Sequence, residues 1–348
     1  MTSDTLPTLP DDVLLDIFDF YQMNSEVYPW GWHTLAHVCR QWRYIIFASP
    51  CRLDLQLLCT PRTRVRGLLE YIPPMPILVC NTPYQTRSCS PLSLEDGSQI
   101  IAAIEQCDDV WCIQLEGLPN SFLEKLETMM RETFSNLSYV RLFAAEENAP
   151  VFTEEFLGGS APLLETLWLR GIPFPEVPKL LLSAPDLFRL QLENIPDSGF
   201  FSPEAMVTSL SNCPNLMALI IEFSSPYPHP DFTSEQNTPT ARTSLPALTC
   251  FRFKGNGGYL GVLFPRIEAP LLGYIMTMVE DSFVYYEAYY SPDGFSATCQ
   301  IDHLEELGEE EEAEAEEEEE AEEEEEAEEE EEEEAEAEEE EEDLSYNS

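Results

Sequence analysis

The sequence predicts an α/β chain in three parts. A three-helix module occupies residues 1–52, a solenoid of strand-and-helix repeats residues 53–303, and a disordered glutamate tail residues 304–348. Three observations predict this. Behind a Leu9-Pro10 opening, apolar residues recur at helical spacing. Between Val110 and Ile275 an apolar triplet recurs seven times at intervals of 23 to 32 residues. From Glu305 to Asp343 there are 31 acidic residues and no basic one.

Pro10 can sit in the first turn of a helix without losing a needed donor. Asp11 and Asp12 then lie near the positive end of the helix dipole. Val13, Leu14, Ile17, Phe18 and Tyr21 give one apolar face. A second helix carries Leu35 and Val38, and a third runs from Arg40 to Ala48, burying Trp42, Ile45 and Ile46. Three short helices bury little surface, so the module benefits from a partner or an attached domain.

The run Leu9-Pro10-Asp11-Asp12-Val13-Leu14-Leu15-Asp16-Ile17-Phe18, followed by Leu35-Ala36-His37-Val38-Cys39-Arg40-Gln41-Trp42-Arg43, resembles the F-box. That module joins substrate receptors to cullin–RING ubiquitin ligases. The resemblance implies that Leu9, Pro10, Val13, Leu14, Ile17, Leu35 and Val38 contact a Skp-type adaptor, with Trp42 as a core residue. It also implies a receptor that works with adaptor and cullin and does no chemistry itself. Two features depart from the pattern. The segment from Gln22 to Trp32 is long, and Cys51-Arg52-Leu53 stands where a tryptophan often follows the third helix. Variants of this kind look like the F-box-like proteins abundant in mushroom-forming fungi. The alternative is a helical cap whose apolar face is only core.

The repeat follows L-x-x-L-x-L: Val110-Ile113-Leu115, Leu137-Val140-Leu142, Leu164-Leu167-Leu169, Leu187-Leu190-Leu192, Leu216-Leu219-Ile221, Leu248-Phe251-Phe253, and a weaker unit at Leu272 and Ile275. The period is close to that of leucine-rich repeats, which stack into a curved solenoid with a parallel sheet inside. Four units share a lead-in of Pro-x-Leu or Pro-Leu-Leu type, at Pro162, Pro185, Pro214 and Pro246, where proline is expected to stop the preceding helix or loop. Helical segments are expected at Ser98–Gln106, Ser121–Phe134 and Pro203–Leu210, with an irregular first unit at Arg64–Ile72 and Pro76–Val79. Asn81–Glu95 and Ser224–Ser244, rich in Pro, Ser and Thr, are expected to be loops.

In such strands, the residues flanking the last two apolar positions face the concave side. Ten basic residues follow position 100, and five fall at these positions: Arg141, Arg170, Arg189, Arg252 and Lys254. Tyr139, Phe143, Trp168 and Tyr274 stand beside them. Arginine with aromatics is the mix of binding hot spots, and its fork suits carboxylate or phosphate. Tyr139, Arg141, Trp168, Arg170, Arg189, Arg252 and Lys254 are therefore the expected contacts for an acidic or phosphorylated protein target. The alternative is solvated strand residues, some paired with Glu116, Glu193 or Glu222.

The chain carries a formal charge of −50; outside the glutamate run, 36 acidic residues oppose 17 basic ones. The run has almost nothing apolar to bury, and its like charges at i, i+4 oppose helix. It can solubilise, attract basic proteins as a histone-chaperone-like scaffold would, or fold back on the concave arginines. An acidic chain without basic clusters is a poor nucleic-acid binder. Ten scattered cysteines form no Cys-x-x-Cys pair, which favours buried thiols over disulfides or zinc. No catalytic residue, metal or cofactor is expected. The start lacks a signal peptide and no run is long enough for a membrane span, so a cytoplasmic or nuclear protein is expected.

Overall fold

A computed structural model describes residues 9–23, 32–69, 71–81, 94–225, 242–279, 282–291 and 294–303; at 22–23, 94–96, 282–291 and 294–303 the backbone alone is described. The glutamate tail, most of the lengthened segment before Trp32, and most of the two Pro- and Ser-rich stretches lie outside these residues.

Helix α1 spans Asp11–Met23. The Pro10 carbonyl accepts from Leu14 N at 3.1 Å. Pro10 therefore stands at the cap just outside the helix rather than in its first turn, which Asp11 and Asp12 occupy. Helix α2 spans Trp32–Ala36 and includes Leu35. Val38 lies beyond it, in the turn before Cys39. The chain must leave helical geometry there, because Cys39 is extended (φ −156°, ψ 172°) and its Sγ accepts from Trp42 N to cap helix α3, Arg40–Ala48. Leu14, Phe18, Trp32, Leu35, Ile45 and Ile46 form the module's core, and half-buried Trp42 packs on Phe18 with ring centroids 4.9 Å apart.

The remaining elements follow in chain order. They are β1 Leu57–Cys59, α4 Val65–Leu69, β2 Ile77–Cys80, α5 Leu94–Ile104, β3 Val110–Leu118, α6 Asn120–Met129, β4 Tyr139–Ala144 and β5 Thr166–Arg170. Then come α7 Val177–Leu181, β6 Arg189–Ile195, α8 Pro203–Leu210, β7 Ala218–Phe223, β8 Thr243–Ser244, β9 Cys250–Gly255 and α9 Gly257–Leu263. The last are β10 Ile267–Glu268, β11 Tyr274–Val279, β12 Ser282–Ser291 and β13 Gly294–His303. One sheet has the order β1-β2-β3-β4-β5-β6-β7-β9-β11-β12-β13, and β8 pairs with β10 apart from it. Pairing is parallel from β1 to β11 and antiparallel for β12 and β13.

Each triplet contributes a strand of this sheet, and the register aligns the triplets. Ile113, Val140, Leu167, Leu190, Leu219, Phe251 and Ile275 form one row across seven strands. The recurring Pro lead-in is a turn rather than a stop. Leu164 N donates to Ala161 O, Leu187 N to Ala184 O, Leu216 N to Cys213 O and Leu248 N to Leu245 O, at 3.1–3.3 Å. Proline stands at the second position of each turn, where its fixed φ suits a β-turn. A fifth copy, Ala269-Pro270-Leu271-Leu272, makes the same bond at 3.2 Å and introduces β11.

Two strands precede the first triplet, and the antiparallel hairpin β12–β13 ends the sheet where the sequence suggests only a continuing solenoid. Ser291-Pro292-Asp293-Gly294 between those strands has the composition of a tight turn. Helices α5 to α9 contribute to one hydrophobic core with one face of the sheet, and that core is continuous with the module's through Leu53, Leu55 and Leu57. Trp32 Nε1 donates to Gln56 O at 3.0 Å across this junction.

Candidate interaction surfaces

Helix α1 has two apolar stripes. Leu14 and Phe18 point into the core, with Leu15 half-buried beside them. Leu9, Val13, Ile17, Phe20 and Tyr21 remain exposed, Phe20 at 71%. Pro10 is exposed as well, and so is Val38, at 57%. Of the seven residues implied as adaptor contacts, five lie at the surface and two do not: Leu14 and Leu35 are 3% and 7% exposed and pack inside the module. A buried side chain of this kind supports a docking surface from beneath rather than touching the partner. Phe20 and Tyr44 are large exposed residues that the sequence argument did not single out. On α3, a cavity of about 360 Å³ is lined by Arg40, Arg43, Tyr44, Phe47 and Ala48.

The second surface is the sheet face opposite the helices. Its residues fall into rows set by the strand register. One row runs Cys112, Tyr139, Thr166, Arg189, Ala218, Cys250, Tyr274, and the next Gln114, Arg141, Trp168, Gln191, Ile220, Arg252, Met276. Along the rows the chemistry changes. Over β2 and β3, Leu78, Cys80 and Cys112 form a small apolar cluster with Leu58, Trp111 and Tyr139 packed on it. Over β4 to β6, arginines and aromatics are interleaved.

Arg141 is the hub of that second zone. Its guanidinium lies 4.2 Å from the Trp168 ring centroid and 4.5 Å from that of Phe143, and it pairs with Glu116 at 2.7 Å. Phe143 and Trp168 meet edge-on at 5.0 Å, and Arg170 lies 5.8 Å from the Phe143 ring. Arg252 is paired with Glu222. At these two the pairing with strand neighbours that the sequence left open is present, through Glu116 and Glu222. Arg170 and Arg189 are exposed and Lys254 is half-buried; none of the three has an ion pair among the described residues. Burial pushes the Tyr139 phenol up against the opposing pull of Arg141, and raises the Glu222 carboxyl against that of Arg252.

Three buried polar atoms in the second row have no hydrogen-bond partner among the described residues: Arg141 Nε, Trp168 Nε1 and Gln191 Oε1. They stand on three consecutive strands, with Arg141 opposite Trp168 and Trp168 opposite Gln191. Buried polar groups left unpaired cost stability.

No cluster of metal-ligating side chains occurs among the described residues, and no helix there is long and apolar enough to cross a membrane. Comparison with curated proteins finds no match to the chain. Residues 6–50 match the family model described as F-box-like. The match includes every implied adaptor contact, from Leu9 to Val38, together with the whole of the two-striped helix α1. The N-terminal module is an F-box-like domain.

Proposed function

We propose that the chain is a substrate-recognition adaptor of an SCF-type cullin–RING ubiquitin ligase, a use that its F-box-like domain suggests in general terms. The observation that supports the adaptor contact best is the outward stripe Leu9, Val13 and Ile17, with Val38 nearby, on a module whose core is already filled by Leu14, Phe18 and Leu35. An apolar stripe of this kind left outside a filled core is a docking face for a partner helix. The repeats, of leucine-rich type in this reading, would present the target protein on the open sheet face. There Tyr139, Arg141, Trp168, Arg170, Arg189, Arg252 and Lys254 favour an acidic or phosphorylated segment. The receptor contributes local concentration and orientation, while its ligase partners supply the chemistry.

Co-purification with a Skp-type adaptor and cullin tests the reading. The native chain should capture both. A Val13→Asp/Ile17→Asp variant should lose them while its melting temperature stays within a few degrees, since both side chains are exposed. Failure of the native chain to capture the adaptor would overturn the reading. A non-ligase scaffold that binds basic proteins through its 31 clustered acidic residues would then be the reading to pursue.

A further inference from the structure

We infer that the glutamate-rich tail of this same chain docks on the arginine–aromatic zone of the open sheet face and there competes with any acidic partner. Strand β13 ends at His303, two residues before the glutamates begin. By register, His303 is aligned through Ser282 and Val279 with Gly255, next to Lys254. The tail thus leaves from the same end of the sheet on which Lys254 and Arg170 stand. Six strand spacings separate β13 from β5, roughly 29 Å at about 4.8 Å each. An extended chain covers that distance in about nine residues, and the tail has 45.

The chemistry is complementary. Among the described side chains, the face carries five cations (Arg141, Arg170, Arg189, Arg252, Lys254) against three carboxylates (Glu116, Glu193, Glu222), within a chain of net charge −50. Arg170, Arg189 and Lys254 have no ion pair among the described residues, so each can receive a carboxylate, and the run from Glu305 to Asp343 offers one at most positions. Tethering raises the effective concentration, so individually weak contacts suffice.

The chain has only three lysines: Lys125, on the exposed side of α6; Lys179, on α7; and Lys254, on the open face. Carbodiimide coupling, which joins carboxylate to amine with no spacer, therefore reads tail position directly. In the full-length chain, mass spectrometry should find tail glutamates joined to Lys254 at least five-fold more than to Lys125. A full-length Arg170→Glu/Arg189→Glu variant, changed only at exposed positions, should lose most of the Lys254 linkage, as should the native chain in 1 M salt, where screening shortens to about 3 Å. Should that variant melt early, Arg170→Gln/Arg189→Gln replaces it. An equal Lys254 linkage in native and variant chains would mean that tethering alone brings the tail near, and would overturn docking. So would equal linkage to Lys125 and Lys254. In a mixture of isotope-labelled and unlabelled chains, linkage mainly between different copies would overturn occupancy by the chain's own tail. Adaptor capture is read separately, so failure here leaves the proposed function standing and the reverse also holds.

Discussion

At the residue scale, the buried cysteines make the first test of packing. Burial pushes the thiols of Cys59 and Cys112 up to about 12 and that of Cys213 up to about 11, whereas Cys39 and Cys51 are exposed. Alkylation by iodoacetamide at pH 8 should modify Cys39 and Cys51 first and spare the other three until the protein is denatured, because the thiolate is the nucleophile. Labelling of Cys112 as fast as Cys51 would mean that the open face breathes. On α1, Leu14→Ala should cost about 2–5 kcal/mol in urea denaturation, as emptied core positions do, and Ile17→Ala less than about 1 kcal/mol. Equal costs would contradict the two-stripe arrangement. The sequence makes α1 amphipathic, but Val13, Leu14, Ile17 and Phe18 are all apolar and look like one broad face. Only packing against Ile45, Ile46 and Trp42 decides which stripe turns inward.

At the element scale, the repeats were legible because their period is written in large apolar residues, and the strand register reproduces the alignment of the triplets. The Pro lead-in was visible too, but its role was not. A proline before a strand is compatible with a stop or a turn, and the bond from Leu164 N to Ala161 O distinguishes them. Two local devices have no signature in the pattern. Asn81 closes the end of β2 against β3, receiving from Glu116 N at 2.9 Å and donating to Glu116 O at 2.7 Å. Asn81→Ala should cost about 1–3 kcal/mol, measured by urea denaturation, since both backbone groups lose a partner. After Phe156 the chain turns through Leu157, Gly158 and Gly159, all with positive φ, and Leu157 N donates to Met130 O at 2.6 Å. A Cβ at Gly158 would stand 2.9 Å from Thr133 Oγ1 and 3.1 Å from Thr133 Cα. Gly158→Ala should therefore lower the melting temperature, at a cost of at least about 1–2 kcal/mol.

At the scale of the whole molecule, the three-helix module and the sheet share one hydrophobic core. Thermal unfolding should then appear as one transition, with tryptophan fluorescence and far-UV circular dichroism giving the same midpoint. A separate early transition lost on Trp32→Ala would show a module that melts alone. The open face was partly legible: strand alternation placed the arginines, the aromatics and their candidate carboxylate partners on it, and the register decided that Glu116 holds Arg141 and Glu222 holds Arg252. The unpartnered atoms of Trp168 and Gln191 could not be seen in a sequence, because they follow from what neighbouring strands fail to offer. The bond from Trp32 to Gln56, set in that continuous core, joins the module to the first strand without a hinge. Whatever binds at α1 and whatever lies over β5 are thus mounted on the same ruler, graduated in strands. Four divisions of about 4.8 Å separate β1 from β5, and adding or deleting one strand would move the second occupant by one division.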